Sequence, residues 1–276
     1  MGVITIQSSV AFGHVGNSAA VFALQRLGVE AWPVHTVQLS NHTGHPDWGG
    51  GALGPAHVAA VLDGLQRRGA FGAADAVLTG YVGDTALAAV IASAVDRITA
   101  AGARYCCDPV LGNDARGLFV PEAAARAVAA ELLPRADIAT PNRFELAWLT
   151  GTEVATVADA LAAADALAAR GPRMVAVTSL PVADKAGIGV LLRTDAGAWQ
   201  VATPRLQAAA NGAGDAFAAM LLARLVRGES PDHALALATA SIFAILAASG
   251  TGELALVAAQ DEIVRPSRGF AAVRLR

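Results

Sequence analysis

The residues best suited to chemistry form one short segment, Asn211-Gly212-Ala213-Gly214-Asp215. Its small residues leave backbone N–H groups accessible, and the alanine- and leucine-rich run that follows predicts a helix beginning here. Unpaired N–H groups and the peptide dipoles of a first helical turn favour an anion, such as a transferring phosphoryl group. Asp215 in that turn could accept a proton from a substrate hydroxyl. The alternative interpretation is that Asp215 only caps the helix after a flexible loop.

Two further carboxylates follow predicted strands. Asp108 precedes Pro109, which holds its backbone extended, and Glu145 follows the strand end Thr140-Pro141-Asn142. Both could act on Mg²⁺ or on nucleotide phosphates. The structural alternatives are an Asp that merely begins a turn and a Glu that completes a capping box. Combined with a glycine-rich anion site, two carboxylates indicate phosphoryl transfer, in which positioning and charge neutralisation do most of the catalysis.

The elements that must position these residues follow from alternating β-branched and alanine-rich stretches. Strands are predicted over residues 3–7, 30–37, 76–79, 104–107, 137–140 and 174–178. Helices are predicted over residues 17–27, 55–68, 84–101, 122–133 and 157–170, after Gly212 and after Pro231. This series implies an α/β fold with a mostly parallel sheet covered on both faces, in which ligands bind beyond the carboxyl ends of the strands. Strands over residues 187–193 and 199–203, joined by a turn containing Asp and Gly, predict an antiparallel edge.

Length and composition favour a single domain over residues 1–276. The formal net charge of −3 supplies no basic field for nucleic acid or for an anionic membrane, so small molecules are the expected partners. The adjacent Cys106 and Cys107 cannot join distant segments, and no leader-like segment precedes the first strand, which together indicate the cytoplasm. The uncharged run over residues 234–252 is predicted to be a buried core helix because it is rich in Ala, Ser, Thr and Gly.

Two other patterns point to chemistry that the sequence disfavours. Gly13, Gly16 and Asn17 resemble half of a dinucleotide-binding fingerprint, but the full glycine spacing is absent and no acid closes the second strand. His42 and His45 have the spacing of a metal-binding pair, but no Glu lies between them and glycine and proline interrupt the segment. We interpret this segment as a mobile loop over the site.

Six segments together resemble one enzyme family over nearly the whole chain. They are Ile6-Gln7-Ser8 with residues 13–20, residues 36–43, Thr79-Gly80-Tyr81, residues 107–112, residues 140–145 and residues 212–215. The pattern is similar to pyridoxal kinases, the vitamin B6 salvage branch of the ribokinase superfamily. The segment over residues 212–215 marks only the superfamily, whereas the first-strand motif and Ser40-Asn41-His42-Thr43 are specific to the pyridoxal branch.

The resemblance implies a ribokinase-like three-layer sandwich and assigns roles by position. Asp215 matches the catalytic base, and Gly212, Ala213 and Gly214 match the anion hole for the γ-phosphoryl group. Substrate contacts are implied for Ser8, Val15, Thr43, Gly44 and Tyr81. Nucleotide contacts are implied for Asp108, Thr140, Asn142, Glu145, Thr178, Thr203, Pro204, Arg205 and Leu206, with Asp108 and Glu145 also acting on the metal. A flap is implied over residues 40–48 and a nucleotide lid over residues 111–121.

The implied reaction is transfer of phosphate from ATP to the 5′-hydroxymethyl group of pyridoxal, with Mg²⁺, a monovalent cation such as K⁺, and a homodimeric assembly. Two departures stand out. Thr178 and Ser179 replace a lysine that such kinases often carry, for which Lys185 could substitute, and Ala208-Ala209-Ala210 is closer to sugar kinases. Two alternatives remain: a kinase of pyridoxine, pyridoxamine, hydroxymethylpyrimidine or a sugar, and a carrier that binds pyridoxal phosphate or nucleotide without turnover.

Overall fold

A ten-stranded mixed sheet forms the centre of the computed structural model, which describes residues 1–182, 184, 186–207, 210–250 and 252–276. The strand order across the sheet is β12-β11-β10-β9-β8-β5-β4-β1-β2-β3. The strands are β1 (Gly2–Val10), β2 (Glu30–Leu39), β3 (Gly50–Ala52), β4 (Ala76–Thr79), β5 (Arg104–Cys107), β8 (Ile138–Ala139), β9 (Met174–Leu180), β10 (Gly187–Thr194), β11 (Gly197–Pro204) and β12 (Val273–Arg274). A separate two-stranded sheet pairs β6 (Gly112–Asn113) with β7 (Gly117–Leu118).

The six central strands from β2 to β9 run parallel, and both ends of the sheet are antiparallel. The predicted antiparallel edge is confirmed in β10 and β11, which turn at residues 194–197. A second antiparallel edge, formed by β2 and β3, was not predicted because β3 is a short glycine-rich strand without a hydrophobic pattern. The prediction of an α/β fold with a mostly parallel sheet is therefore confirmed.

Helices cover the sheet on both faces. They are α1 (Asn17–Arg26), α2 (Pro55–Arg67), α3 (Ala70–Ala73), α4 (Thr85–Thr99), α5 (Glu122–Ala127), α6 (Arg143–Thr150), α7 (Val157–Ala168), α8 (Ala213–Val226), α9 (Pro231–Ala248) and α10 (Asp261–Val264). Alternate strand residues enter opposite cores: Val77 packs into the layer with α4, whereas Ala76 and Leu78 pack into the layer with α1 and α8. This is the period-two pattern of a sheet buried on both faces.

Two local features of the helices differ from the prediction. The helix predicted over residues 122–133 is regular only in α5 and continues as a π-helical turn and a 3₁₀ turn, where Pro134 lacks an N–H donor. Helix α6 was not predicted, although its capping box was considered. Helix α9 is long and apolar enough to cross a bilayer by length and composition, and the face that carries Leu235, Ala238 and Ile242 is buried in the core.

Candidate active site

The glycine segment forms the N-terminus of α8. Gly212 is the N-cap residue in a left-handed conformation (φ 89°), and Asp215 lies in the first turn. A Cβ at position 212 would collide with the carbonyl oxygen of His14, so glycine is required for this loop to pack on the loop after β1. Among the described residues, no side chain caps this first turn. The helix therefore begins at the glycine segment, as predicted, and its N-cap is Gly212 rather than Asp215.

The Asp215 carboxylate is held between two backbone segments. The backbone N–H groups of Gly16 and of Asp215 itself face the carboxylate and act to lower its pKa. Burial has the larger effect and raises the pKa of Asp215 to about 6. A carboxylate with a pKa near neutrality can accept a proton in the transition state better than an ordinary Asp can.

The loop after β1 brings predicted substrate residues next to Asp215. The pairing register between β1 and β2 shifts between Gln7 and Ser9, so Ser8 lies at an irregularity within the strand rather than after its end, where the sequence had predicted it. Gly16 (φ 55°) packs so closely on the carbonyl oxygen of Ser8 that a Cβ would not fit. Val15 is buried beside it. Gly16 thus contacts both Ser8 and Asp215.

Residues 40–49 form the loop of the hairpin between β2 and β3. The N–H of Ser40 donates to the carbonyl of Gly49 (2.8 Å), and the Asn41 amide donates to the carbonyl of Asp47 (2.8 Å). A Cβ placed on Gly44 would lie 3.8 Å from Nδ2 of Asn211, so the tip of the loop reaches the glycine segment. The predicted flap residues Thr43 and Gly44 are therefore close to the anion site.

Tyr81 follows β4, the neighbour of β1 in the sheet. Its ring folds over Gly83, where a Cβ would lie 2.7 Å from the phenol oxygen, and its carbonyl accepts a hydrogen bond from the Thr36 hydroxyl (3.1 Å). Burial raises the pKa of Tyr81, so the phenol stays protonated at neutral pH and can donate a hydrogen bond to a ligand.

A carboxylate cluster lies at the ends of β5 and β8. Burial raises the pKa of Asp108 well above its usual range, and the charges of Glu145 and Asp215 raise it further. The Thr140 hydroxyl has the smallest effect and acts in the opposite direction. No Lys, Arg or His within the described ranges forms an ion pair with these three carboxylates.

Glu145 has a structural role that the sequence offered as an alternative. Its carboxylate and the Asn142 side chain form a reciprocal capping box at the start of α6. The other Glu145 oxygen accepts the N–H of Leu111 (2.8 Å), and the Asn142 amide donates to the carbonyl of Gly112 (2.8 Å). Both side chains therefore fix the root of the β6–β7 hairpin, which lies within the predicted nucleotide lid. Burial raises the pKa of Glu145 to about 7, although the backbone N–H groups of Asn142, Leu111 and Gly112 act to lower it.

The Asp108 and Glu145 carboxylates are compatible with a Mg²⁺ ion only if phosphate oxygens and waters supply the other ligands. Across the described part of the chain, no group of three or more His, Cys, Asp and Glu side chains could hold a metal by itself. Mg²⁺ typically binds through one or two carboxylates, phosphate oxygens and waters, so two buried carboxylates without a cationic partner suit it. His42 and His45 have other contacts: His42 Nδ1 accepts the N–H of Gly44, and His45 contacts Glu253.

The other residues predicted to contact the nucleotide lie farther along the sheet. Thr178 is inside β9, bridged to Asn142, and Ser179 beside it has a positive φ of 61°. Thr203 and Pro204 end β11, two strands beyond β9, and the N–H of Arg205 donates to the carbonyl of Ala186. The described hydrogen bonds join Thr178 to the carboxylate side of the site but do not join Thr203, Pro204, Arg205 or Leu206 to it. Lys185, Ala208 and Ala209 lie outside the described residues.

A surface groove of about 610 Å³ is lined by the outer side of α9 and by the C-terminal segment, including Phe243, Ala247 and Arg268. None of the predicted site residues lines this groove. The sequence did not predict Glu253, whose carboxylate contacts the flap. The only local signal for it was a single acid after the glycine-bearing run at the end of α9.

Known proteins that resemble this chain are kinases of small molecules. A family model described as phosphomethylpyrimidine kinase matches residues 56–254. The pyridoxal kinase PdxY of Rubrobacter xylanophilus is 47% identical over 98% of this chain and 96% of its own length. The chain belongs to the pyridoxal kinase family.

Solved structures of this family agree with the fold. The pyridoxal kinase of Leishmania donovani in complex with ADP and pyridoxamine superposes with a TM-score of 0.93 at 31% identity, covering 100% of this chain and 99% of that one. The Entamoeba histolytica enzyme has a TM-score of 0.93 at 27% identity, covering 99% of both chains. The resemblance to pyridoxal kinases and the predicted ribokinase-like fold are thus confirmed.

Proposed function

We propose that this protein phosphorylates the 5′-hydroxymethyl group of pyridoxal with ATP and releases pyridoxal 5′-phosphate and ADP. The observation that carries the proposal is the Asp215 carboxylate, whose pKa is raised to about 6, at an N-terminus of α8 that no described side chain caps. The relatives named pyridoxal kinase support the substrate, as does the Leishmania structure with ADP and pyridoxamine.

In this mechanism Asp215 is the general base. As the substrate oxygen forms its bond to the γ-phosphorus, the bond from that phosphorus to the bridging oxygen breaks and ADP leaves, while the hydroxyl proton passes to Asp215. The N–H groups of Gly212, Ala213 and Gly214 stabilise charge on the transferring group. Bound Mg²⁺ would neutralise phosphate charge, and Asp108 and Glu145 are the residues that would hold it.

The substrate ring is proposed to lie among Ser8, Val15 and Tyr81, beneath Thr43 and Gly44 of the flap. A planar heteroaromatic ring suits this set of hydroxyl, phenol and apolar groups better than a sugar does, because a sugar site uses more carboxylate and amide groups. The lid, the nucleotide role of Thr203 to Leu206, the monovalent cation, the homodimer and the cytoplasmic location remain proposals based on the family.

A substrate panel tests the function. We expect ATP-dependent phosphorylation of pyridoxal to exceed that of pyridoxine, pyridoxamine and hydroxymethylpyrimidine in kcat/KM, measured by coupled ADP release and product chromatography. The family model makes hydroxymethylpyrimidine the second candidate substrate. Preference for that compound would reassign the substrate, and binding of pyridoxal without ADP release would identify a carrier.

The pH dependence follows from Asp215. Because the protonated acid cannot accept the hydroxyl proton, and because burial raises its pKa to about 6, we expect kcat/KM for pyridoxal to fall as the pH drops through about 6. With a base of the usual Asp pKa, kcat/KM would be retained down to a pH of about 4. A pH–rate profile from 4.5 to 8.5 measures this limb, and a midpoint near 4 would contradict the assignment of the base.

A further inference from the structure

Glu253 connects two segments that are distant in sequence. Its Oε1 lies 2.9 Å from Nε2 of His45 in the flap, 208 residues away in the chain. Its Oε2 packs against Gly13 (φ 93°), where a Cβ would lie 2.0 Å from that oxygen. Both partners of the hydrogen bond are largely covered, with 35% of the His45 side chain and 27% of the Glu253 side chain exposed. Glu253 therefore joins the flap to the loop after β1.

The residue before Glu253 contacts the glycine segment. Gly252 forms a bridge with Ala210, and its carbonyl accepts the N–H of Asn211 (3.4 Å). Asn211 in turn lies beneath Gly44, the residue before His45. The flap and the start of the anion loop are thus attached to the same short segment at residues 252–253.

Charged groups from other elements face this contact. Burial lowers the pKa of His42 in the flap, the charges of Arg116 and His45 lower it further, and the charge of Glu253 raises it. Arg116 belongs to the β6–β7 hairpin. The flap, the predicted lid and Glu253 therefore lie near one another above the site.

We propose that Glu253 is a positioning residue for substrate capture, which holds Thr43 and Gly44 over the Asp215 site through its hydrogen bond to His45. Glu253 does not touch the reacting atoms. Its effect should therefore appear in the binding of the hydroxymethyl substrate rather than in the transfer step. The inference rests on the proposed function for the identity of that substrate.

The test combines kinetics with a double-mutant cycle. We expect Glu253→Ala to raise the KM for pyridoxal about tenfold or more, as for the loss of a hydrogen bond to a carboxylate, while kcat and the KM for ATP change less than about threefold. His45→Ala should give the same KM increase, and the double variant should be no worse than either single variant. Glu253→Gln, which keeps an acceptor, should retain most of the affinity.

A second readout does not depend on turnover. Hydrogen exchange of the backbone over residues 40–49 in the ligand-free protein should be faster in Glu253→Ala and in His45→Ala than in the wild type. The exposed Glu153 and His57 provide the controls, and Glu153→Ala and His57→Ala should leave both readouts unchanged.

Two results would overturn the inference. In the first, the Glu253→Ala and His45→Ala substitutions have additive effects on the KM for pyridoxal. In the second, hydrogen exchange over residues 40–49 is unchanged and only kcat decreases. A wild type that does not phosphorylate pyridoxal contradicts the proposed function, and the exchange measurement then decides the inference alone.

Discussion

Asp215→Asn is expected to reduce kcat for pyridoxal by about 10²-fold to 10⁴-fold, the range for removal of a general base. The amide nearly preserves the shape of the side chain but cannot take the hydroxyl proton. The KM for ATP should change little, because the backbone N–H groups that contact phosphate remain. Steady-state kinetics, with circular dichroism to confirm folding, measures the effect.

Asp232→Asn is the matched control for this prediction. Asp232 also lies in the first turn of a helix, the neighbouring α9, so its substitution removes a charge from an equivalent helical position. We expect unchanged kcat. If Asp215→Asn retained more than about a third of the wild-type kcat, another group would have to accept the proton and the proposed mechanism would be wrong.

Gly212→Ala is the second substitution with a large expected effect. The new Cβ would collide with the His14 carbonyl oxygen, and the left-handed conformation itself costs about 1–2 kcal/mol for a residue with a side chain. The loop must shift, and displacing an anion hole by about 1 Å lowers kcat by roughly 10²-fold. The midpoint temperature of thermal unfolding and kcat should both fall.

Gly228→Ala separates backbone strain from loop displacement. Gly228 has nearly the same positive φ of 87°, but nothing lies within 4 Å of a Cβ placed there. It also follows the C-terminal end of α8, away from Asp215. We expect a similar loss of stability from strain with unchanged kcat. Equal kcat values in the two variants would show that the position of Gly212 does not matter for catalysis.

The sequence predicted the sheet and the helix that begins at the glycine segment because both depend on local patterns. Alternating β-branched and alanine-rich runs predicted the central strands to within a few residues. Small residues before a helical run predicted the uncapped N-terminus at Gly212, since φ preference and the absence of a Cβ are properties of each residue alone.

The contacts that the sequence could not predict join distant segments. The hydrogen bond between His45 and Glu253 crosses 208 residues, and no local spacing encodes it. The attachment of the β6–β7 hairpin to Glu145 and Asn142 was missed for the same reason, although the capping box itself was an alternative that the spacing offered. The irregular pairing at Ser8 depends on the register with β2, which only the assembled sheet determines.

The packing of the loop after β1 against late parts of the chain has a consequence for biosynthesis. Gly13 packs against Glu253, and His14 against Gly212, so this early loop lacks these contacts until those residues have left the ribosome. Helix α1 likewise keeps an apolar face around Ala19, Ala23 and Leu24 uncovered until α8 is made. Because chains are synthesised at only about 5–20 residues per second, the nascent protein exposes this surface for many seconds. We therefore expect the active site to be among the last parts of the molecule to form, with no kinase activity in the incomplete chain.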